Sequence, residues 1–236
     1  MDDWQTLDHE EVPGDRDSVL YLMTRDGEFT IHVNGRELMS DTQHGSEDAL
    51  SDDACDRLAE LDDARILVGG LGMGFTLAAA LRRVGPNGHV TVAELIPAVI
   101  RWNRETTGAA AGFPLSDPRC SVHEGDVVDL VDDPPEPWSA ILLDVDNGPR
   151  ALTRTYNKWL YSRQGLQRTM EALIPGGILG VCIGGDRATG YDFSKTQFLR
   201  DLDDRNDNTE LDDLEQDILT TANKLGIGPM GFGGQT

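Results

Sequence analysis

The sequence has few cysteines, few lysines and no long apolar segment. Its three cysteines, Cys55, Cys120 and Cys182, are far apart, which excludes a disulfide-rich secreted domain and a CxxC metal or redox motif. The longest stretch without a charged residue, Ile66 to Leu81, is too short for a comfortable membrane span. The first residues are acidic, unlike a signal peptide. We therefore expect a cytoplasmic protein with no membrane segment.

Positive charge is scarce throughout the chain. The 236 residues hold 42 Asp and Glu against 20 Lys and Arg, a formal charge of -22. Asp outnumbers Glu 29 to 13, and only three residues are lysine. This balance disfavours nucleic acid and anionic membranes as partners, because phosphates are bound by clustered cations. We interpret it as a solvated, salt-adapted (halophilic) surface; an acidic cleft for a cationic ligand is the alternative.

The length suits one folded domain with a core that needs no disulfides. Residues 1–18 form an acidic leader. Residues 19–61 predict a small antiparallel β unit followed by a lead-in helix that Ser46 caps. Residues 185–236 form an acidic, helical and glycine-rich tail.

Between these segments, residues 62–184 alternate short apolar strands with helices. The predicted strands are 66–68, 90–95, 120–124, 140–145 and 178–183, and the helices are 75–84, 96–106 and 162–173. Such alternation predicts an α/β fold with a mostly parallel, doubly wound sheet of Rossmann type. Ligands of such sheets bind at the carboxyl ends of the strands.

A glycine-rich turn follows the first of these strands. It contains Gly69, Gly70, Gly72 and Gly74, which allow a ligand to approach the backbone and the N–H groups of the next helix. Phe75 stands where the dinucleotide fingerprint has its third glycine, so tight packing of the helix on the strand is the alternative. Glu94 ends the next strand, where a carboxylate can accept hydrogen bonds from ribose hydroxyls. Together they predict a nucleoside site.

Further carboxylates follow the later strands. Asp126 comes after the third strand, and Asp144 and Asp146 come after the buried fourth strand. We expect them at the same sheet edge as Glu94. Because the chain is so acidic, the alternative is that the Asp-Xaa-Asp at 144–146 consists of ordinary solvent-exposed residues without a functional role.

These residues carry a resemblance to a known family. Residues 19–181 resemble the polyamine aminopropyltransferases, above all a divergent spermidine synthase-like branch. The resembling stretches are 37–40, 43–47, 66–74, 92–97, 125–126, 141–149 and 173–177. The resemblance implies a methyltransferase-like sheet that binds a nucleoside sulfonium, decarboxylated S-adenosylmethionine, without a metal, and transfers its aminopropyl group to a small-molecule amine. The sequence leaves the oligomeric state open, and a homodimer is one candidate.

The resemblance also implies roles for the nucleoside-binding residues. The glycine turn approaches the nucleoside and the sulfonium, Glu94 holds the ribose, and Asp126 reads the adenine amino group. Gln43 lies near the sulfonium or thioether. Asp144 matches the catalytic aspartate that accepts a proton from the attacking amine.

On the amine side the chain departs from the family pattern. Asp146 or Asn147 falls near the family's second substrate-binding aspartate, in an altered motif. The family's N-terminal Tyr-His-Glu run is replaced by residues 47–53, which lack Tyr and His. His44 is a candidate for the missing histidine; a structural, hydrogen-bonded histidine is the alternative.

A second resemblance covers the end of the chain. Residues 182–236 resemble a piece of the iron-sulfur fumarate hydratases, which hold their cluster with three separated cysteines. This segment has only Cys182, so we expect no cluster. The two resemblances therefore meet at a junction within the strand 178–183. The junction is that of a fusion, a recombinant gene or a composite reading frame. The alternatives to aminopropyl transfer are an S-adenosylmethionine-dependent methyltransferase, an inactive nucleoside-binding chimera and, last, fumarate hydratase activity.

The charge excess predicts a salt-dependent stability. If the carboxylates repel one another across the surface, added salt screens them, and the melting temperature rises mostly above about 0.1 M, where the Debye length is about 10 Å. The measurement is thermal unfolding from low to molar salt. A melting temperature that does not respond to salt contradicts a salt-adapted surface.

Overall fold

A computed structural model describes residues 3–13, 15–58, 60–145 and 157–181, with 213, 216–217, 220, 227–228 and 231–232 beyond them. The chain divides into two compact units, Met1–Gly190 and Tyr191–Thr236. In the second unit, β10 (Ile227–Gly228) pairs antiparallel with β11 (Gly231–Phe232). Among the described residues, no helix has the length and apolar character needed to cross a membrane.

The first unit begins with a four-stranded antiparallel sheet in the order β1-β2-β3-β4. Its strands are β1 (Gln5–Val12), β2 (Asp15–Arg25), β3 (Glu28–Val33) and β4 (Arg36–Ser40). The predicted hairpin is present, with Asp26 and Gly27 at positive φ between β2 and β3. Leu20, Leu22, Ile31 and Val33 form the buried face of this sheet.

Two details of this region differ from expectation. The segment that we assigned to an acidic leader supplies β1, which pairs with β2 along most of its length. The helix after β4 is α1 (Gly45–Cys55), shorter than the predicted 46–61. Ser46 does not cap it: the N-cap is His44, and the Ser46 hydroxyl donates to the Glu47 carboxylate instead.

The second sheet has five parallel strands in the order β7-β6-β5-β8-β9. They are β5 (Arg65–Gly69), β6 (His89–Glu94), β7 (Cys120–Glu124), β8 (Trp138–Leu143) and β9 (Leu173–Val181). The order reverses between β5 and β8, the position where such sheets open a ligand crevice. The predicted α/β, doubly wound fold is confirmed.

Helices connect these strands and cover both faces of the sheet. They are α2 (Phe75–Arg83), α3 (Pro97–Glu105), α4 (Val127–Asp132), α5 (Asn157–Leu160) and α6 (Arg163–Glu171). Two buried clusters lie on opposite faces of the central strand β5: Ile66 and Val68 belong to one, and Leu67 to the other. The alternation of side chains along the strand explains this division.

The two sheets of the first unit are joined by a polar contact. One oxygen of Asp8 on β1 accepts hydrogen bonds from the Arg101 guanidinium and the Trp102 indole of α3, each at 2.8 Å. The hydrogen bond from Arg101, then that from Trp102, lowers the pKa of Asp8 to about 2. The Trp102 side chain is buried, so it holds the donor in a fixed place.

This contact predicts an acid limb of stability. The folded pKa of Asp8, about 2, lies below its ordinary value of 3.8, so its stabilising effect is complete above about pH 4 and is lost as the pH falls toward 2. Asp8→Asn therefore lowers the melting temperature at pH 6 and has little effect near pH 2. Glu11→Gln, exposed on the same strand, is the control. Equal effects of the two substitutions at pH 6 contradict the role of Asp8.

Candidate functional site

The strand register places the candidate carboxylates along one edge of the five-stranded sheet. Glu94 pairs with Glu124 of β7, and the preceding row joins Ala93, Gly69 and Leu143 across β6, β5 and β8. Asp144 follows Leu143 directly, so it lies one residue beyond that row. The register therefore brings Glu94, the glycine turn and Asp144 to the point where the strand order reverses.

The glycine turn packs directly against the end of β8. The Asp144 amide donates to the Gly69 carbonyl at 2.8 Å, and a Cβ placed on Gly70 would lie 2.4 Å from the Asp144 carbonyl oxygen. Gly70 also has a φ of +91°, which side-chain-bearing residues rarely adopt. Only glycine fits at position 70. The cause is an approach between two segments of this chain.

Glu94 lies at this turn, but its carboxylate is bonded to the backbone. One oxygen accepts from the Leu71 amide at 3.0 Å, and the other accepts from the Ile96 amide at 2.8 Å. The side chain is only 8% exposed. Burial raises the pKa of Glu94, and the hydrogen bonds from backbone amides oppose that rise. A ribose that binds Glu94 therefore has to share or replace bonds that hold the turn.

Asp144 is held by the first turn of α2. The Thr76 hydroxyl donates to the Asp144 carboxylate at 2.5 Å. Thr76 is 2% exposed, whereas Asp144 is half-buried. Sequence reasoning missed Thr76. No local signal points to it, since its acceptor lies 68 residues further along the chain.

Asp126 is the N-cap of α4. Its carboxylate accepts a hydrogen bond from the Val128 amide at 3.0 Å. The amide of the preceding residue, Gly125, donates to the Glu94 carbonyl at 2.9 Å. The predicted proximity of Asp126 to the end of β6 is therefore present. The cap holds one oxygen of its carboxylate against the helix backbone.

The segment from β4 to α1 lies against the glycine turn. The Met39 thioether would meet a Cβ on Gly72 at 2.9 Å, and the His44 ring stacks on Phe75 with 4.0 Å between ring centroids. These contacts bracket the turn from both ends. Gln43 lies between Met39 and His44, is exposed, and bridges to Ser40. The segment from β4 to α1 thus packs against the glycine turn.

His44 is part of a polar chain. Its Nδ1 lies 2.8 Å from a carboxylate oxygen of Asp48, and the other Asp48 oxygen accepts from Arg82 at 2.6 Å. Burial raises the pKa of Asp48, but the hydrogen bonds from Arg82 and His44 outweigh it and leave that pKa below its ordinary value. His44 is therefore hydrogen-bonded as the structural interpretation expects, and it also borders the turn.

Other predicted groups have different outcomes. Asp146 and Asn147 lie outside the described residues, as does Cys182. Gly74 is the N-cap of α2, with a φ of +87°, and Gly72 has a φ of +52°. Within the described part of the chain, no three His, Cys, Asp or Glu side chains are grouped as metal ligands. Burial raises the pKa of Cys55, and that of Cys120 to about 11, so neither thiol is activated as a nucleophile.

Comparison with solved structures identifies the architecture. The chain matches the spermidine synthase of Thermotoga maritima with a TM-score of 0.57 and 15% identity, over 71% of this chain and 53% of that one. It also matches a spermidine synthase in complex with the transition state analogue AdoDATO, with a TM-score of 0.55 and 14% identity, over 71% and 52%. The fold is therefore the methyltransferase-like fold of spermidine synthases, as the resemblance implies.

The end of the chain matches a different family. The family model described as fumarate hydratase (fumerase) matches residues 163–236. A putative class I fumarate hydratase of Geobacillus stearothermophilus is 60% identical over 60 residues, which are 25% of this chain and 12% of that protein. A putative L(+)-tartrate dehydratase subunit alpha of Methanocaldococcus jannaschii is 37% identical over 57 residues, 24% and 20% of the two chains.

Both resemblances drawn from the sequence are thus confirmed, and each is partial. The chain spans about half the length of the spermidine synthases and at most a fifth of the curated relatives. The fumarate hydratase match begins at residue 163, within the α/β unit, rather than at 182. Residues 163–181 nevertheless form α6 and β9 of the five-stranded sheet.

Proposed function

We propose that this chain is a spermidine synthase-like transferase that moves an aminopropyl group from decarboxylated S-adenosylmethionine to a small-molecule amine. The observation that carries this proposal is the meeting of carboxylates and a glycine turn at the reversal point of the sheet. Glu94 and Asp144 each lie one residue beyond the row that joins Ala93, Gly69 and Leu143, and Asp126 follows β7, the strand next to β6. A cationic donor and a cationic acceptor both favour such a negative site.

The chemistry suits these groups. An acceptor ammonium first gives one proton to a carboxylate, and its nitrogen lone pair then forms a bond to the methylene carbon beside the sulfonium. The carbon–sulfur bond breaks, and its electron pair neutralises the sulfur to give methylthioadenosine. The product nitrogen keeps a positive charge, so one proton is released in total. Asp144 is the proposed proton acceptor.

The remaining residues have proposed roles around the donor and the amine. The glycine turn faces the nucleoside, Glu94 holds the ribose, and Asp126 accepts a hydrogen bond from the adenine amino group. Because Glu94 is bonded to the Leu71 and Ile96 amides, ribose hydroxyls share its oxygens with these amides or replace them. We propose that Gln43 borders the sulfonium, while His44, Asp146 and Asn147 bind the amine.

Calorimetry with three ligands tests the proposal. We expect decarboxylated S-adenosylmethionine and methylthioadenosine to bind, and S-adenosylmethionine to bind less tightly, because its carboxylate meets an acidic site. Release of methylthioadenosine with a panel of diamines then tests transfer. Preferred binding of S-adenosylmethionine with labelled methyl transfer favours a methyltransferase instead, and binding without either turnover favours an inactive nucleoside-binding chain.

The first prediction from this proposal concerns Glu94. Glu94→Gln replaces one amide-accepting oxygen with an NH2 group, so nucleoside binding weakens by about 1 to 3 kcal/mol. The measurement is calorimetry with methylthioadenosine, with the melting temperature as a check on folding. Glu124→Gln is the matched control, since Glu124 is the exposed register partner of Glu94. Unchanged affinity in Glu94→Gln removes this residue from the site.

The second prediction concerns Asp144. Asp144→Asn retains an oxygen that accepts from Thr76 but cannot take the proton, so turnover falls by about 10² to 10⁴ while methylthioadenosine affinity changes little. Asp133→Asn, exposed after α4, is the control for the same chemical change. A fully active Asp144→Asn enzyme contradicts the mechanism. A parallel loss of affinity and melting temperature assigns Asp144 a structural role.

A further inference from the structure

The side chain that orients Asp144 is Thr76, the second residue of α2. Its hydroxyl donates to one carboxylate oxygen at 2.5 Å. The backbone of Asp144 is fixed as well, since its amide bonds to the Gly69 carbonyl at 2.8 Å and its carbonyl lies against Gly70. With the backbone fixed at these two points, the Thr76 hydrogen bond holds one oxygen of the carboxylate toward α2.

The backbone of Thr76 makes a separate contact with α1. The buried Ser51 hydroxyl donates to the Thr76 carbonyl at 2.8 Å. Ser51 is fully buried and Thr76 is 2% exposed, so these bonds are shielded from competing water. The link between Ser51 and Thr76 involves a carbonyl, whereas the link between Thr76 and Asp144 involves a hydroxyl. The two links can therefore be broken separately.

We propose that Thr76 is a positioning residue that keeps the Asp144 carboxylate ionised and aimed at the crevice. A hydroxyl that donates to a carboxylate stabilises the charged form, and the N-terminal end of α2 adds to this effect. The site thus retains a negative charge beside the cationic reactants. This inference rests on the proposed function for its catalytic consequence, whereas the effect on the carboxylate itself does not depend on any activity.

Other titratable groups surround this end of the sheet and have to be distinguished from Asp144. Glu94 lies across the turn, with its carboxylate on the Leu71 and Ile96 amides. Asp126 caps α4, and His44 stacks on Phe75, the neighbour of Thr76. None of these side chains is bonded to the Thr76 hydroxyl in the described structure. The comparison of Thr76→Val with Thr76→Ser therefore isolates the contribution of the Thr76 hydroxyl to Asp144.

The first arm of the test needs no substrate. The Asp144 side-chain carboxyl is followed by ¹³C NMR from pH 3 to 8, with Asp144→Asn to assign its signal. Thr76→Val removes the hydroxyl at nearly constant shape, so the titration midpoint rises by about one to two pH units. Thr76→Ser restores the wild-type midpoint, and Ser51→Ala leaves it unchanged. Should Thr76→Val not fold, Thr76→Ala gives the same comparison.

The second arm measures transfer to a diamine. Thr76→Val lowers kcat by about ten- to a hundredfold, with methylthioadenosine affinity unchanged, and moves the acid limb of the pH profile to higher pH. Thr76→Ser recovers both. An unchanged Asp144 midpoint in Thr76→Val, or an equal change in Ser51→Ala, overturns the inference. If the wild-type protein shows no transfer, the proposed function fails, while the NMR arm still decides the role of Thr76.

Discussion

The contact between the glycine turn and the end of β8 is the constraint on which the rest of the site depends. The Asp144 carbonyl lies where any side chain at position 70 would be, so β5 and β8 end in direct backbone contact. That contact fixes the height of Asp144 relative to the turn. It also leaves the Leu71 amide directed at the Glu94 carboxylate, which crosses under the turn from β6. Glu94 and Asp144 therefore lie at the same turn, because glycine at position 70 allows the two backbone segments to approach each other.

The carboxylates at this sheet edge accept hydrogen bonds from neutral groups. Glu94 accepts from backbone amides, Asp126 from an amide at a helix start, and Asp144 from a hydroxyl. Such donors favour the charged form of a carboxylate, and for Glu94 they oppose the rise in pKa that burial causes. Arg82 and Arg83 on α2 instead bind acids of α1 and its C-cap that are four residues apart, Asp48, Asp52 and Asp56. These arginines thus join the two helices.

The strands and the turn were predictable from the sequence, because short apolar runs and clustered glycines are local signals. The first strand was not, since β1 is polar on most positions and gains its stability from pairing with β2 and from the Asp8 contact to α3. The partners of Glu94 and Asp144 were also beyond sequence reasoning. Leu71 lies 23 residues from Glu94 in the chain, and Thr76 lies 68 residues from Asp144. These donors reach their carboxylates only because the sheet brings distant segments together.

Ser46 shows the same limit on a smaller scale. It has the residue type and the position of a helix cap, but its hydroxyl bonds to the adjacent Glu47, and the helix begins after His44. His44, which occupies the N-cap position, stacks on Phe75 across the turn. The local preference of Ser46 for a cap is therefore not realised, because its hydroxyl has a side-chain acceptor one residue away.

The resemblance of the final third to fumarate hydratases affects the edge of the fold more than its site. In the described part of the chain, β9 lies at the end of the sheet beyond β8, while the turn, Glu94, Asp126 and Asp144 belong to the other four strands and their ends. Pro175 within β9 is tolerated at such an edge, where the missing N–H is not needed for a ladder on both sides. A strand that pairs on one side constrains few partners, so its sequence can change without moving the crevice. Glu94, Asp126 and Asp144 thus take their positions from the strands β5 to β8, whichever family the residues from 163 onward resemble.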